Sequence, residues 1–339
     1  MTIHIADMLP ALPDRRWALA RQLGVRHAIV KLHPELTGDA APSDLGALAR
    51  AQTRFEEAGF VLAGLEGDQF DMHRIKQGLP GREADIDTYC RMLENMGRLG
   101  IRLLCYNFMV GMNWGRTAHG VPIRGGALAS AWDHDAARDA PPIDGVGRID
   151  AERVWEHYAW FIERVAPVAA AHGVLMGLHP DDPPVPSLRG VGRLFGTVAG
   201  VDRALALHDT PTHGVTFCQA TFGLMPDCGR DGVAALATRW AARIPFVHWR
   251  DVAGTAERFT ETFHDDGPSD MGALLASYHS AGIDALLRVD HVPAMDGEAV
   301  GEHTTSGAQT MNVGYGTQGR LFAIGYLKGL LEGRGIPYD

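Results

Sequence analysis

The chain has 339 residues, 46% hydrophobic and 21% charged, enough for one large domain or two smaller ones with ample core. Its formal charge of −10 argues against nucleic acid or an anionic membrane as the main partner. No apolar run approaches membrane-spanning length, the start lacks a basic-then-apolar signal pattern, and Cys90, Cys105, Cys218 and Cys228 show no CxxC spacing, so a reducing, cytoplasmic setting is expected.

In chain order, Thr2 to Asp7 reads as a first strand, followed by a helix from about Asp14 to Leu23. Arg26 to Leu32, with β-branched Ile29 and Val30, is a second strand. Ser43 offers an N-cap for a helix to about Ala58 that Gly59 terminates. Phe60 to Leu65 is a third strand ending at Glu66, and a polar loop carrying His73 and Lys76 follows. The next helix, about Glu83 to Leu99, is marked by Ile86, Tyr89, Cys90, Leu93 and Met96 at helical spacing. Ile101 to Tyr106 is a fourth strand.

Asn107 to about Asp150 is the longest irregular stretch, rich in Gly, Pro, Ala and Asp. Loops of that length are usually functional, so it is expected to cover a substrate. A helix near Asp150 to His172 leads to a strand that ends at His179, and two short helices are expected over about Gly190 to Leu207. The strand His213 to Phe217 ends in Cys218, a helix near Asp231 to Ala242 follows, and Ile244 to Val247 ends in His248. A helix from Asp270 to about Ala281 precedes the last strand, Ile283 to Arg288, which leads through Val289 to Asp290 and His291. A second long loop, Val292 to Gly314, leads to Tyr315 and a closing helix from about Gln318 to Glu332. Eight strand–helix alternations without a composition break predict a single (β/α)8 barrel over residues 1–339. No GxGxxG or GxxxxGK[ST] follows the first strand, which disfavours a nucleotide-binding open sheet.

Four of these strands finish on a group that can bind a metal or move a proton: His179, Cys218, His248 and Asp290. Each alone has an ordinary reading, a buried thiol or a hydrogen-bonded polar group. Neighbouring strands of one barrel would bring all four together at its C-terminal mouth. A thiolate, two imidazoles and a carboxylate suit Zn²⁺, Fe²⁺ or Mn²⁺ with positions left open for substrate oxygens. The nearby Asp181, Asp182, His291 and Tyr315 are not needed as ligands and are candidates for proton transfer.

These residues carry a family resemblance. They include Cys105-Tyr106-Asn107-Phe108-Met109 with Trp114 and Arg116-Thr117, the string His179-Pro180-Asp181-Asp182-Pro183-Pro184, and Phe217-Cys218 with Gly223. The series continues with Phe246-Val247-His248-Trp249-Arg250, then His264, Gly267 and Asp270-Met271, then Arg288-Val289-Asp290-His291. It closes with Gly314-Tyr315, Gly319-Arg320 and the tail Leu327 to Leu330. Together they resemble the mannonate dehydratase family of the xylose-isomerase-like TIM barrels, over most of the chain. The resemblance implies dehydration of D-mannonate to 2-keto-3-deoxygluconate, a step of hexuronate breakdown. It implies a divalent metal, Mn²⁺ or Fe²⁺ before Zn²⁺, on His179, Cys218, His248 and Asp290. It makes His291 and Tyr315, then Asp181 and Asp182, the catalytic candidates. Asn107, Arg116, Arg288, His264 and Arg320 become substrate-binding candidates, and the partner is a small sugar acid, with room for a homo-oligomer. This chain departs from the family at Val289 and Val292, which replace a Pro and a Gly, in its first strand Ile3 to Asp7, which lacks aromatics, and in a shorter insertion. The alternatives are a related metal-dependent isomerase, epimerase or lyase on another sugar, and a non-catalytic sugar- or metal-binding protein.

Overall fold

A computed structural model describes residues 2–298 and 314–339. Eight parallel strands close into a barrel: β1 (His4–Met8), β2 (His27–Val30), β3 (Val61–Glu66), β4 (Leu103–Tyr106), β5 (Leu175–Leu178), β6 (His213–Cys218), β7 (Phe246–Trp249) and β8 (Leu286–Val289). Each strand pairs with its neighbours in sequence, and β8 closes on β1 through His4↔Leu286 and Ala6↔Arg288. The outer ring is α1 (Arg15–Gln22), α2 (Leu45–Glu57), α3 (Arg82–Arg98), α4 (Ala151–His172), α5 (Val198–Leu207), α6 (Gly229–Arg239), α7 (Met271–Ser280) and α8 (Thr317–Gly333). The expected (β/α)8 architecture is therefore observed, and the closing helix falls within a residue or so of its expected span.

Short polar side chains set the helix starts by taking up the orphan amide protons of the first turn. Asp14, Asp150, Thr197 and Asp270 all do so. At α2 the cap is Asp44, whose carboxylate accepts from the Ala47 amide at 2.8 Å, rather than the expected Ser43. Inside the barrel, Ala6, Ile29, Leu103, Cys105 and Phe246 pack together as an apolar floor, with Ala63 and Leu286 against them. A Cβ added to Gly177 of β5 would stand 2.6 Å from Thr216 Oγ1 of β6, so only glycine lets these strands pack as they do. A much larger apolar layer lies between strands and helices, including Phe161, Ile162 and Val165 of α4 against Met176 and Leu178 of β5.

Two expectations are corrected. The stretch Asn107 to Asp150 is not an irregular loop throughout. It contributes the hairpin Ala118–Pro122 and Leu128–Asp133 to a four-stranded antiparallel sheet completed by Val252–Gly254 and Arg258–Glu261. The pairing Phe259↔Trp132 joins segments far apart in sequence, which no local pattern reveals. In place of two helices over Gly190 to Leu207 there is one, α5, preceded by the tight turn between Ser187–Leu188 and Val191–Gly192. Arg189 and Gly190, at φ +50 and +85, make that turn. The expected second loop, Val292 to Gly314, lies mostly outside the described residues.

Among the described residues no helix is long and apolar enough to cross a membrane, and all four cysteines are free thiols.

Candidate active site

The C-terminal mouth of the barrel gathers the strand-end residues. Cys218 closes β6 in register with His248 of β7, and His248 is in register with Arg288 of β8. His179 follows β5, its amide continuing the ladder to the Tyr106 carbonyl at 2.8 Å. The donor atoms of His179, Cys218 and His248 consequently lie within 4.8 Å of one another. His179 Nδ1 donates to the Pro180 carbonyl at 2.7 Å, which leaves Nε2 as its lone-pair nitrogen.

His248 is buried, yet neither ring nitrogen has a hydrogen-bond partner. Carboxylate oxygens stand just beyond bonding distance, Asp290 Oδ2 at 3.4 Å from Nδ1 and Glu66 Oε1 at 3.5 Å from Nε2. A buried imidazole left bare on both sides is costly unless something else engages it. Cys218 Sγ accepts from Thr221 Oγ1 at 3.2 Å and faces Arg250 Nη1 at 3.5 Å. Burial alone would raise this thiol, but the Arg250 charge and the adjacent His179 and His248 rings outweigh it and hold it well below its usual range. Burial and Arg288 lower the pKa of His248, but Glu66 and Asp290 outweigh them and raise it, so this ring frees a lone pair for a metal only by giving up a proton. With that proton gone, an anionic sulfur and two imidazole nitrogens form a donor set that fits a divalent transition metal.

Asp290 adjoins this trio through His248 without entering it. Its Oδ1 takes a hydrogen bond from Arg288 Nη1 at 2.8 Å. Burial raises its carboxyl, but Arg288, His291 and His248 together hold it well below the usual carboxylate range. Arg288 also grips Glu66 through both oxygens, at 2.6 and 3.1 Å. Burial opposes ionisation of Glu66, yet Arg288 and His248 bring its carboxyl down to about 2. Glu66 and Cys105 form a second donor group that shares His248.

A buried quartet of charges walls one side. Arg116 donates to both oxygens of Asp182, each at 2.9 Å, and to Glu261 Oε1 at 2.6 Å. Arg250 donates to Asp182 Oδ2 at 2.8 Å and to both oxygens of Glu261 at 2.7 and 2.8 Å. Against its burial, Arg116 and Arg250 hold Asp182 far below the ordinary carboxylate range, so it carries no proton near neutral pH. Asp181 points elsewhere: it accepts from the Phe195 amide at 2.7 Å and faces Arg193 at 3.4 Å, and burial raises its carboxyl. It anchors the chain after β5.

His291 has a left-handed backbone, φ +46, and its ring lies between Trp114 and Tyr315 with centroids 4.8 and 5.3 Å away. Its Nδ1 is 3.0 Å from Glu261 Oε1, and its Nε2 is 3.8 Å from Asp290 Oδ2. Burial lifts the Tyr315 hydroxyl above the ordinary phenol range. Asn107 Oδ1 accepts from Lys76 Nζ at 2.9 Å and from the Met109 amide at 3.1 Å. His264 is turned to the protein interior, donating from Nε2 to the Trp249 carbonyl at 2.7 Å, and burial pushes its pKa down to about 4. Arg320 ties α8 to β1, reaching the Met8 carbonyl at 2.7 Å and Asp7 at 3.1 Å.

The sequence pattern therefore names the trio and His291, while missing Glu66, Cys105, Arg250 and Glu261 as parts of the site. Glu66 and Cys105 also lie at strand ends, so the same rule applied to β3 and β4 would have found them. Glu261 has no local signal, because the antiparallel sheet alone places it.

Fold and site together define a (β/α)8 barrel with a cluster of metal-competent side chains gathered at its C-terminal mouth. The family model for D-mannonate dehydratase (UxuA) matches residues 16–146 and 142–334, and the chain belongs to that family. It is a dehydratase, a hydro-lyase of the sugar-acid class. Mannonate dehydratase 1 of Bacillus licheniformis is 29% identical, over 91% of this chain and 88% of its own length. The crystal structure of mannonate dehydratase from Streptococcus suis serotype 2 superposes with a TM-score of 0.84 at 26% identity, covering 100% of this chain and 97% of that one. A xylose isomerase domain protein from Planctomyces limnophilus, 13% identical with TM-score 0.58 and 98% of each chain covered, shares the fold.

Proposed function

We propose that the protein dehydrates D-mannonate to 2-keto-3-deoxygluconate with a divalent metal, Mn²⁺ or Fe²⁺, held by the trio His179, Cys218 and His248, with Asp290 beside them drawn in as the fourth ligand. The observation that carries this is His248, a buried imidazole with two bare nitrogens, set beside a thiolate and a second imidazole. When bound, the metal supplies positive charge that offsets the charge developing on the substrate carboxylate and so acidifies the neighbouring C2–H.

The remaining steps belong to the chain. The C2–H bond breaks and its proton goes to His291 Nε2, the nitrogen turned away from Glu261. The electron pair forms the C2–C3 double bond as the C3–O bond breaks. The departing hydroxyl takes a proton and leaves as water, and the enol tautomerises to the 2-keto acid. Tyr315 keeps its proton at neutral pH, because burial raises its pKa, and it lies against the His291 ring, so it is the donor to the leaving hydroxyl. Asp181 and Asp182 shape the site without moving protons, the first as an anchor and the second as the counter-charge of Arg116 and Arg250. Arg116, Arg288 and Arg320 are spent on internal partners, and His264 faces the interior. Of the five substrate-binding candidates this leaves Asn107, whose amide nitrogen donates no hydrogen bond among the described residues. A cytoplasmic setting is supported by the free thiols.

The test is to strip the protein with a chelator, reload it with Mn²⁺ or Fe²⁺, and offer a panel of aldonic acids in deuterated water. Formation of 2-keto-3-deoxygluconate from D-mannonate, with metal-dependent C2 exchange, is expected. One metal per chain with neither turnover nor exchange on D-mannonate overturns the substrate assignment.

A further inference from the structure

We infer that Glu261 is the positioning residue for His291, fixing the imidazole with its proton on Nδ1 and its lone pair on Nε2. The inference rests on the reading of His291 as the group that takes the C2 proton.

Glu261 ends the strand Arg258–Glu261, outside the barrel, and its carboxylate is buried. Its Oε1 receives three donors, Arg116 Nη2 at 2.6 Å, Arg250 Nη2 at 2.7 Å and His291 Nδ1 at 3.0 Å, while Oε2 takes Arg250 Nε at 2.8 Å. A carboxylate can only accept, so the imidazole nitrogen facing it must carry the hydrogen. The other neighbour of Nδ1 is Arg116 Nη2 at 3.4 Å, a donor with a shorter bond to Glu261 already made. Trp114 and Tyr315 confine the ring between them, leaving rotation within that slot to be fixed by the hydrogen bond. The arrangement follows the logic by which a buried acid sets the tautomer and orientation of a catalytic histidine.

The same carboxylate reaches the thiolate side of the site. Arg250, bound to Glu261 through two nitrogens, presents Nη1 to Cys218 Sγ at 3.5 Å. One side chain from the antiparallel sheet thus orients both the proton-transfer group and the guanidinium that favours the thiolate. Two positive and two negative groups, Arg116 and Arg250 against Asp182 and Glu261, balance within the quartet, so Glu261 is held without an uncompensated buried charge. The insertion and the excursion after β7 therefore build a platform that delivers Glu261 and Arg116 to the mouth of the barrel.

Three variants test this: Glu261→Gln, Glu261→Asp, and Glu261→Gln combined with His291→Asn, each with metal content and circular dichroism measured beside kinetics. Glu261→Gln is expected to lower kcat about tenfold or more while KM stays within about twofold, and Glu261→Asp to recover part of the loss. On the His291→Asn background, with both proteins compared at full metal content so that any loss through Arg250 and Cys218 is removed, the Gln substitution should change kcat by less than about twofold, since its effect on proton transfer acts through the missing imidazole. Nitrogen-15 spectra of histidine-labelled wild-type protein, with the His291 signal assigned by its loss in His291→Asn, should show a protonated Nδ1 and a bare Nε2. An equal fall in kcat on both backgrounds, or a wild-type proton on Nε2, overturns the inference. Should Glu261→Gln fail to fold, the wild-type spectrum decides alone. Full turnover in metal-loaded His291→Asn defeats the reading of His291 itself, a result distinct from either.

Discussion

His213 offers a stability test that is independent of the metal. It opens β6, fully buried, and receives the Tyr106 hydroxyl at Nε2 at 2.9 Å with the Tyr158 hydroxyl 3.3 Å away. Its Nδ1 donates to the His208 carbonyl at 3.1 Å, so the neutral ring is fully matched. Burial lowers its pKa, the His208 carbonyl partly offsets this, Arg243 adds repulsion, and the result is about 4. In the unfolded chain the same group titrates near 6.5, a gap of about 2.5 units or roughly 3 kcal/mol. Because the folded pKa is the lower one, the unfolded state takes up the proton first. The contribution is complete above about pH 6.5 and is lost as pH falls toward about 4, with about 2 kcal/mol gone by pH 5. Urea unfolding at pH 7 and pH 5 on wild type and His213→Gln measures it, since Gln keeps a neutral donor and acceptor. Wild type should lose about 2 kcal/mol more than the variant across that interval. Equal losses in both proteins, or a His213 titration near 6.5 by NMR, would refute the reasoning.

Three further outcomes are expected. Cys218→Ser should weaken retention of the softer metals, because a neutral hydroxyl replaces a thiolate, and metal analysis after dialysis reads this directly. Stoichiometric metal in a protein lacking both His179 and His248 would remove the trio as its site. Asp182→Ala leaves Arg116 and Arg250 facing a single carboxylate and should cost about 3–5 kcal/mol of stability, visible as a large fall in the urea midpoint. Gly177→Ala should cost about 1–3 kcal/mol, because the new methyl meets Thr216 Oγ1 inside the barrel, and an unchanged midpoint would show that the strands can part there.

Much of the architecture was legible because its signals are local. Short apolar runs of strand length gave the eight strands, and the helices expected from about Asp14 and Asp150 begin at Arg15 and Ala151. Parallel strands in sequence order then placed His179, Cys218 and His248 at one mouth. That deduction needs only the rule that neighbouring barrel strands share an end.

The rest depended on contacts between distant segments. Nothing in the run from Asn107 to Asp150 shows that part of it pairs with Arg258–Glu261, since a strand pattern carries no address for its partner. Charge is likewise mute in sequence: Arg116 reads as a free cation suited to a sugar acid, and only the fold shows it bound to Asp182 and Glu261. The same holds for Asp181 and Asp182, adjacent residues whose carboxyls burial and two guanidiniums push in opposite directions. The sequence by itself determined the barrel and which strands would carry donor atoms, because both follow from residue type and order along the chain. Which carboxylates are neutralised, which imidazole nitrogen is left bare, and which sheet delivers Glu261 to His291 were decided by tertiary structure, because burial and long-range pairing exist only once the chain has closed on itself.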